Sequence, residues 1–146
     1  MGVFRRQRPP NAAQRYGTSL TRETSMDGIH LLGEWYGCPS GLPEMTRADA
    51  LRRCCLDAVE AAGLTIVGER FHQFDPQGVT GAVILAESHL AVHTWPEIGS
   101  VTIDVYVCNF TTDNSDKARR LFTELERTLK PERTRLQEIR RGGADG

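Results

Sequence analysis

The stretch VTGAVILAESHLAVHTWPEIGSVTIDVYVC, residues 79 to 108, decides the fold. Its last third alternates: Val101, Ile103, Val105 and Val107 are separated by Thr102, Asp104 and Tyr106. A period of two marks a strand with one face in a core and the other open. Upstream, Val79 to Ala86 is a short apolar run and reads as a strand; His89 to Trp95 reads as another. Pro96, Glu97 and Gly99 supply the turn between the last two. Strands joined by such short turns point to an antiparallel sheet.

Outward from this block the signals change. On its N-terminal side, Leu64 to Phe74 reads as a strand, closed by the turn Asp75-Pro76-Gln77-Gly78. Before it, Leu51, Cys55, Ala58, Val59 and Ala62 recur at helical spacing. Thr46 with Asp49 three residues later resembles a capping box opening that helix, and Gly63 is placed to end it. Gly28 to Tyr36 reads as the first strand, followed by a loop with Pro39, Gly41 and Pro43. On the C-terminal side, Ala118, Leu121, Phe122, Leu125 and Leu129 form the stripe of a helix from about Ser115 to Lys130, stopped by Pro131. Glu132 to Ile139 reads as a last edge strand. The order β-α-β-β-β-α-β predicts an α+β two-layer sandwich, an antiparallel sheet with two helices on one face.

Bulk properties bound the function. The chain has 146 residues, with 39% hydrophobic and 25% charged residues and a formal net charge of −1. One domain is expected, and nothing in that balance points to a nucleic-acid partner. Cys38, Cys54, Cys55 and Cys108 include no Cys-x-x-Cys pair, so free thiols in a reducing compartment are expected rather than a disulfide framework. No run approaches the roughly 20 apolar residues of a spanning helix. Arg5, Arg6 and Arg8 have no apolar stretch after them, so the expectation is a cytoplasmic protein without a secretory signal or membrane partner. Residues 1–26 are expected to form a flexible tail, 27–142 the domain, and 143–146 a short C-terminal tail.

Residues 87–97 carry the chemistry: two histidines, a serine and two glutamates flank a short apolar stretch. A serine hydroxyl can attack the carbonyl before it, converting amide to ester. A base that removes the serine α-proton then expels a carboxylate, and the remainder hydrolyses to a pyruvoyl cap. This needs a hydroxyl, donors for the oxyanion and a base, for which Ser88, Thr80 and His93 are candidates. The absence of a Gly-x-Ser-x-Gly elbow leaves a hydrolase triad without support. A pyruvoyl ketone forms a Schiff base with a substrate amine and accepts the electrons left by departing carbon dioxide. Cys108 is a candidate proton donor for the resulting carbanion; a buried structural thiol at a strand end is the alternative. Ser88 and His93 differ by five positions, so a flat strand would turn them to opposite faces, and a turn, a bulge or the cleavage itself is expected to bring them together.

At these residues the chain resembles the short prokaryotic S-adenosylmethionine decarboxylases, pyruvoyl enzymes of polyamine synthesis. The resemblance is carried by Glu87-Ser-His-Leu-x-x-His93-Thr-Trp-Pro-Glu97, by Phe71-His72-x-Phe74-x-Pro76-x-Gly78-Val79-x-Gly81, by Ile103-Asp104 and Cys108, and by Gly28-x-His30-Leu31 and Glu34. It implies a cut between Glu87 and Ser88 into a 1–87 β chain and an 88–146 α chain. It implies Ser88 as pyruvoyl precursor, His93 as processing base and Cys108 as proton donor. It also implies that Phe74 stacks on adenine, that Glu97 binds the ribose hydroxyls, and that the enzyme is a homodimer with sites at the interface. The only cofactor implied is the self-made pyruvoyl group, without pyridoxal phosphate or metal. Two positions depart from the pattern: Thr80 where Ser is usual, and Asn109-Phe110 where a Gly is common.

Three rivals follow. The same scaffold could decarboxylate arginine or ornithine. His72, His89, His93 and Cys108 could instead hold a metal, since His89 and His93 have the i, i+4 spacing that suits a helix. The chain could also be an uncleaved α/β ligand-binding module.

Overall fold

The computed structural model describes residues 26–143. The tail expected over 1–26 lies outside the described residues apart from Met26, as do the last three residues of the C-terminal tail. Six strands form one antiparallel sheet: β1 (Gly28–Tyr36), β2 (Ile66–Gln73), β3 (Val79–Leu85), β4 (Ser88–Trp95), β5 (Ser100–Cys108) and β6 (Arg133–Arg141). Three helices accompany them: α1 (Pro43–Thr46), α2 (Ala48–Ala61) and α3 (Ser115–Leu129). The α+β sandwich expected from the sequence is the fold observed, with one short helix added.

The spatial order is β2-β3-β4-β5-β1-β6. β2 to β5 are a meander, as their short turns require. The two remaining connections are crossovers carrying the long helices: β1 to β2 through α2, and β5 to β6 through α3. The first runs toward one edge and the second toward the other, and their leading strands point in opposite directions. Right-handed crossovers of that kind place both helices on the same face.

That face is the core. Leu31, Trp35, Val83, Leu90, Ile103 and Val105 of the sheet meet Leu51 and Val59 of α2 and Leu121, Leu125 and Leu129 of α3, all fully buried. The Trp35 ring stacks edge-on against Phe122, with centroids 5.2 Å apart. Gly81 makes room for a neighbour: a Cβ there would lie 2.2 Å from the Phe71 ring. The other sheet face has no helix over it, which is the arrangement the alternation of β5 implies.

Two local expectations are corrected. Pro43, expected to end the loop, instead opens the short helix Pro43–Thr46, and Thr46 does not cap α2. Its hydroxyl donates to the Leu42 carbonyl, while the free N–H of Ala48 donates to Oε1 of Gln73 at 2.7 Å. The cap therefore comes from the end of β2. The same Gln73 amide donates from Nε2 to the carbonyls of Thr46 at 2.8 Å and Gly78 at 3.1 Å. One side chain thus closes a helix start and braces the loop that carries Phe74.

Candidate active site

Strand β4 distributes its side chains by parity. Ser88, Leu90, Val92 and Thr94 face the helices; His89, Ala91, His93 and Trp95 face the open side. β4 pairs without a register break from Ser88 to Thr94 with β3 and from His89 to Trp95 with β5. No bulge therefore turns Ser88 toward His93. Five residues of strand also separate them by about 16 Å. The opposite-face arrangement expected from their spacing is the one observed.

The candidate residues fall into two groups at the two ends of β4. At the first end, the two-residue loop Ala86-Glu87 joins β3 to β4, with Leu85 paired to Ser88. Glu87 adopts a positive φ of 60°. Ser88 is buried, and its Oγ accepts the backbone N–H of Cys108 at 3.3 Å. The side chain of Cys108 is half-buried at the end of β5, with Thr102, Asp104 and Tyr106 on the open face. The carbonyl of Cys108 accepts from Nδ2 of Asn114 at 2.9 Å. Asn109 braces the same loop: its Oδ1 accepts from the Asn114 N–H at 2.8 Å, and its Nδ2 donates to Ser115 Oγ at 3.0 Å. The departure at Asn109 therefore stiffens the chain leaving Cys108.

Beside this end lies a row that the sequence left unassigned. His89, Tyr106 and His30 are neighbours across β4, β5 and β1, with ring centroids 5.5 to 5.9 Å apart. His30 Nε2 is 3.8 Å from Asp104 Oδ1 and is buried without a hydrogen-bond partner. Burial holds the His30 pKa below its ordinary value; Asp104 opposes that shift, and Arg141 and His89 add to it. The signal for this row was the alternation of three strands, which puts all of these side chains on one face.

At the second end, the Thr80 hydroxyl and His93 Nδ1 are hydrogen bonded at 2.9 Å, so the extra methyl at position 80 leaves that contact in place. The His93 ring stacks on Trp95, with centroids 5.9 Å apart and planes 30° apart. Thr80, His93 and Trp95 line a cavity of about 520 Å³ with Phe74, Pro76 and Glu97. Phe74 exposes 47% of its surface there, and Trp95 39%. Two aromatic side chains, a carboxylate and a hydroxyl suit a ligand with a planar ring and several hydroxyls. Sequence reasoning missed Trp95 and Pro76 as lining residues. Buried Thr94 fixes this end from the core side: its Oγ1 donates to the Met45 carbonyl at 2.8 Å and accepts the Val79 N–H at 2.9 Å.

A second cavity, of about 420 Å³, adjoins His93 on the same face and is lined by Glu34, Thr102, Asp104, Arg135 and Gln137. A further concavity, of about 550 Å³, is elsewhere, against the two long helices; Glu44, Asp49, Asp57 and Glu124 line it with Arg53 and Cys54, and it reaches neither group. Burial holds the Cys38 thiol up at about 11 and also raises Cys54 and Cys55. His89 and His93 lie four residues apart on a strand, about 13 Å, so they cannot share an ion. Among the described residues, no group of three or more His, Cys, Asp or Glu side chains is placed to hold a metal. No helix among them is long and apolar enough to cross a membrane.

A family model described as S-adenosylmethionine decarboxylase matches residues 29–142. A protein of Methanococcus maripaludis named S-adenosylmethionine decarboxylase proenzyme is 37% identical over 118 residues, 81% of this chain and 92% of that protein. One of the same name from Archaeoglobus fulgidus is 40% identical over 115 residues, 79% of this chain and 97% of that protein. The crystal structure of the adenosylmethionine decarboxylase of Aquifex aeolicus superimposes with a TM-score of 0.74 at 34% identity, covering 84% of this chain and 95% of that one. With the sheet, its helices and both residue groups in place, these matches show that the chain belongs to the S-adenosylmethionine decarboxylase family.

Proposed function

We infer that the protein is made as a proenzyme, cuts itself between Glu87 and Ser88, and decarboxylates S-adenosylmethionine. The products are carbon dioxide and decarboxylated S-adenosylmethionine, the aminopropyl donor of spermidine synthesis. The observation that carries this is the bond from the Cys108 N–H to Ser88 Oγ at the turn ending in Glu87. It fixes the Ser88 hydroxyl one residue after the carbonyl that it must attack, and ties it to the backbone of the residue that carries the proposed proton donor.

Processing uses groups that the protein itself supplies, with His93 and Thr80 coming from a second copy. Ser88 Oγ adds to the Glu87 carbonyl carbon, and the carbon–nitrogen bond to Ser88 breaks. His93 removes the Ser88 α-proton; the Cβ–oxygen bond breaks and leaves Glu87 as a terminal carboxylate. The residue at 88 takes up water and loses ammonia, so the 88–146 chain begins with a pyruvoyl group. For His93 to act through Nε2, its Nδ1–H must donate to Thr80 Oγ1, which frees the Thr80 hydroxyl proton for the developing oxyanion.

Position 88 fits that group: a hydroxyl-bearing residue at a strand start, directly after the proposed cut. The group supplies a ketone that captures the substrate amine and takes up the electrons released with carbon dioxide. Cys108 returns a proton to the former carboxyl carbon. Phe74 stacks on the adenine, and Glu97 accepts the ribose hydroxyls, in the cavity that both line.

Ser88 and His93 lie too far apart for one chain to join them without breaking β4. A second copy offers the remedy: packed on the open sheet face, its His93–Thr80 end can meet the Cys108 end of this chain, beside the backbone of the Glu87–Ser88 bond. We therefore assign the activity to a homodimer with shared sites. Co-expression of Ser88→Ala with His93→Ala tests this: neither should cleave alone, whereas the His93→Ala chain should cleave in the mixed dimer. A mixture that stays uncut would mean that each copy builds its own site. Carbon dioxide release from S-adenosylmethionine, compared with arginine and ornithine, tests the substrate; turnover of either amino acid in its place would contradict it.

A further inference from the structure

We propose that the backbone of Glu87 is strained in the precursor and that release of this strain speeds the cut at its own carbonyl. Glu87 would then be a positioning residue acting through its φ angle and not through its carboxylate. The inference rests on the cut between Glu87 and Ser88 proposed above.

Among the described residues only Glu87 and Lys130 have a positive φ without being glycine. Lys130 ends α3, where a left-handed residue is the usual helix stop. Glu87 has no such setting. It is the second residue of a two-residue hairpin loop. The two turns that match strand twist need a positive φ at both loop residues or at the first. Here only the second has one, so the turn is neither of them. A left-handed residue with a Cβ is strained, which is why the turns at Gly63, Gly78 and Gly99 use glycine.

The loop cannot relax by fraying. Leu85 and Ser88 on either side are buried and paired. The Ala86 N–H donates to the Thr65 carbonyl at 3.0 Å, and Ser88 Oγ is held by Cys108. Strain persists where the surroundings over-determine a conformation in this way. Transfer of the Glu87 acyl group to Ser88 Oγ inserts Oγ and Cβ into the chain path. Because the Ser88 nitrogen leaves that path, the loop lengthens by one atom, and Glu87 can rotate back to a negative φ. The strain is present before the reaction and lost along it, so it lowers the barrier.

Three full-length precursors test this, made by cell-free synthesis and followed on a denaturing gel: the natural chain, Glu87→Ala and Glu87→Gly. Alanine keeps a Cβ and removes the carboxylate; glycine removes both. Glu87→Gly should cleave about tenfold more slowly than Glu87→Ala, the equivalent of about 1.4 kcal/mol in the barrier. With Ser88→Ala added to block the cut, the glycine precursor should resist denaturant better than the alanine one. Slower cleavage with greater stability is a pair that mere structural damage would not produce. Equal rates for the two variants, or a less stable glycine precursor, would overturn the inference. A natural chain that never cleaves would instead remove the cut itself, a distinguishable failure.

Discussion

The bond between Thr80 and His93 is the smallest unit on which the chemistry turns. It fixes the imidazole tautomer, so it sets whether Nε2 can accept a proton. Thr80→Val keeps the volume and removes the partner. It should slow cleavage by about tenfold or more, the scale of one lost orienting hydrogen bond, and Thr80→Ser should restore most of the rate; a gel time course reads both. Cys108→Ala separates the two stages. Its backbone N–H still reaches Ser88, so the cut should proceed, while decarboxylation should fall by about a hundredfold or more for want of a proton donor. His30 gives a pH signature. Its pKa is lowered in the folded chain, so the unfolded chain binds more protons as pH falls below 6.5. Stability from this group is complete above 6.5 and is lost below it. Denaturation of the Ser88→Ala precursor from pH 7 to 5 should show that decline, and His30→Gln should flatten part of it.

Elements place these groups, and the sequence made some of that placement legible. The alternation in β5 identified both its buried face and the open face carrying Asp104, Tyr106 and Cys108. The same period of two implied that Ser88 and His93 part company along β4, because no proline, glycine or turn residue interrupts 88–95. The start of α2 was not legible. A local capping box at Thr46 matched the pattern, yet the free Ala48 N–H takes Gln73, 25 positions away, because β2 ends beside that helix in space. The turn at Glu87 was equally hidden: glutamate is not a residue that announces a left-handed conformation. Gln73→Ala should cost about 1 kcal/mol of stability through the lost cap. It should also raise KM, because the same side chain steadies the loop bearing Phe74. Urea denaturation and steady-state kinetics check the two effects.

At the scale of the whole molecule, the two crossovers put both long helices on one face and leave the other without a helix among the described residues. That bare face carries His93 and Thr80 near one end of β4 and Cys108 near the other, while the Ser88 side chain turns to the helices, and a second copy on the bare face is the arrangement proposed to bring His93 to the Glu87–Ser88 bond. The proposed cut lies in the hairpin between β3 and β4, so the sheet would remain one sheet made by two chains. Intact mass of the folded, aged protein tests this account most directly. It predicts chains of 1–87 and 88–146, the second carrying a pyruvoyl start and reacting with a hydrazide. A single 146-residue species that persists and leaves the hydrazide unreacted would contradict it.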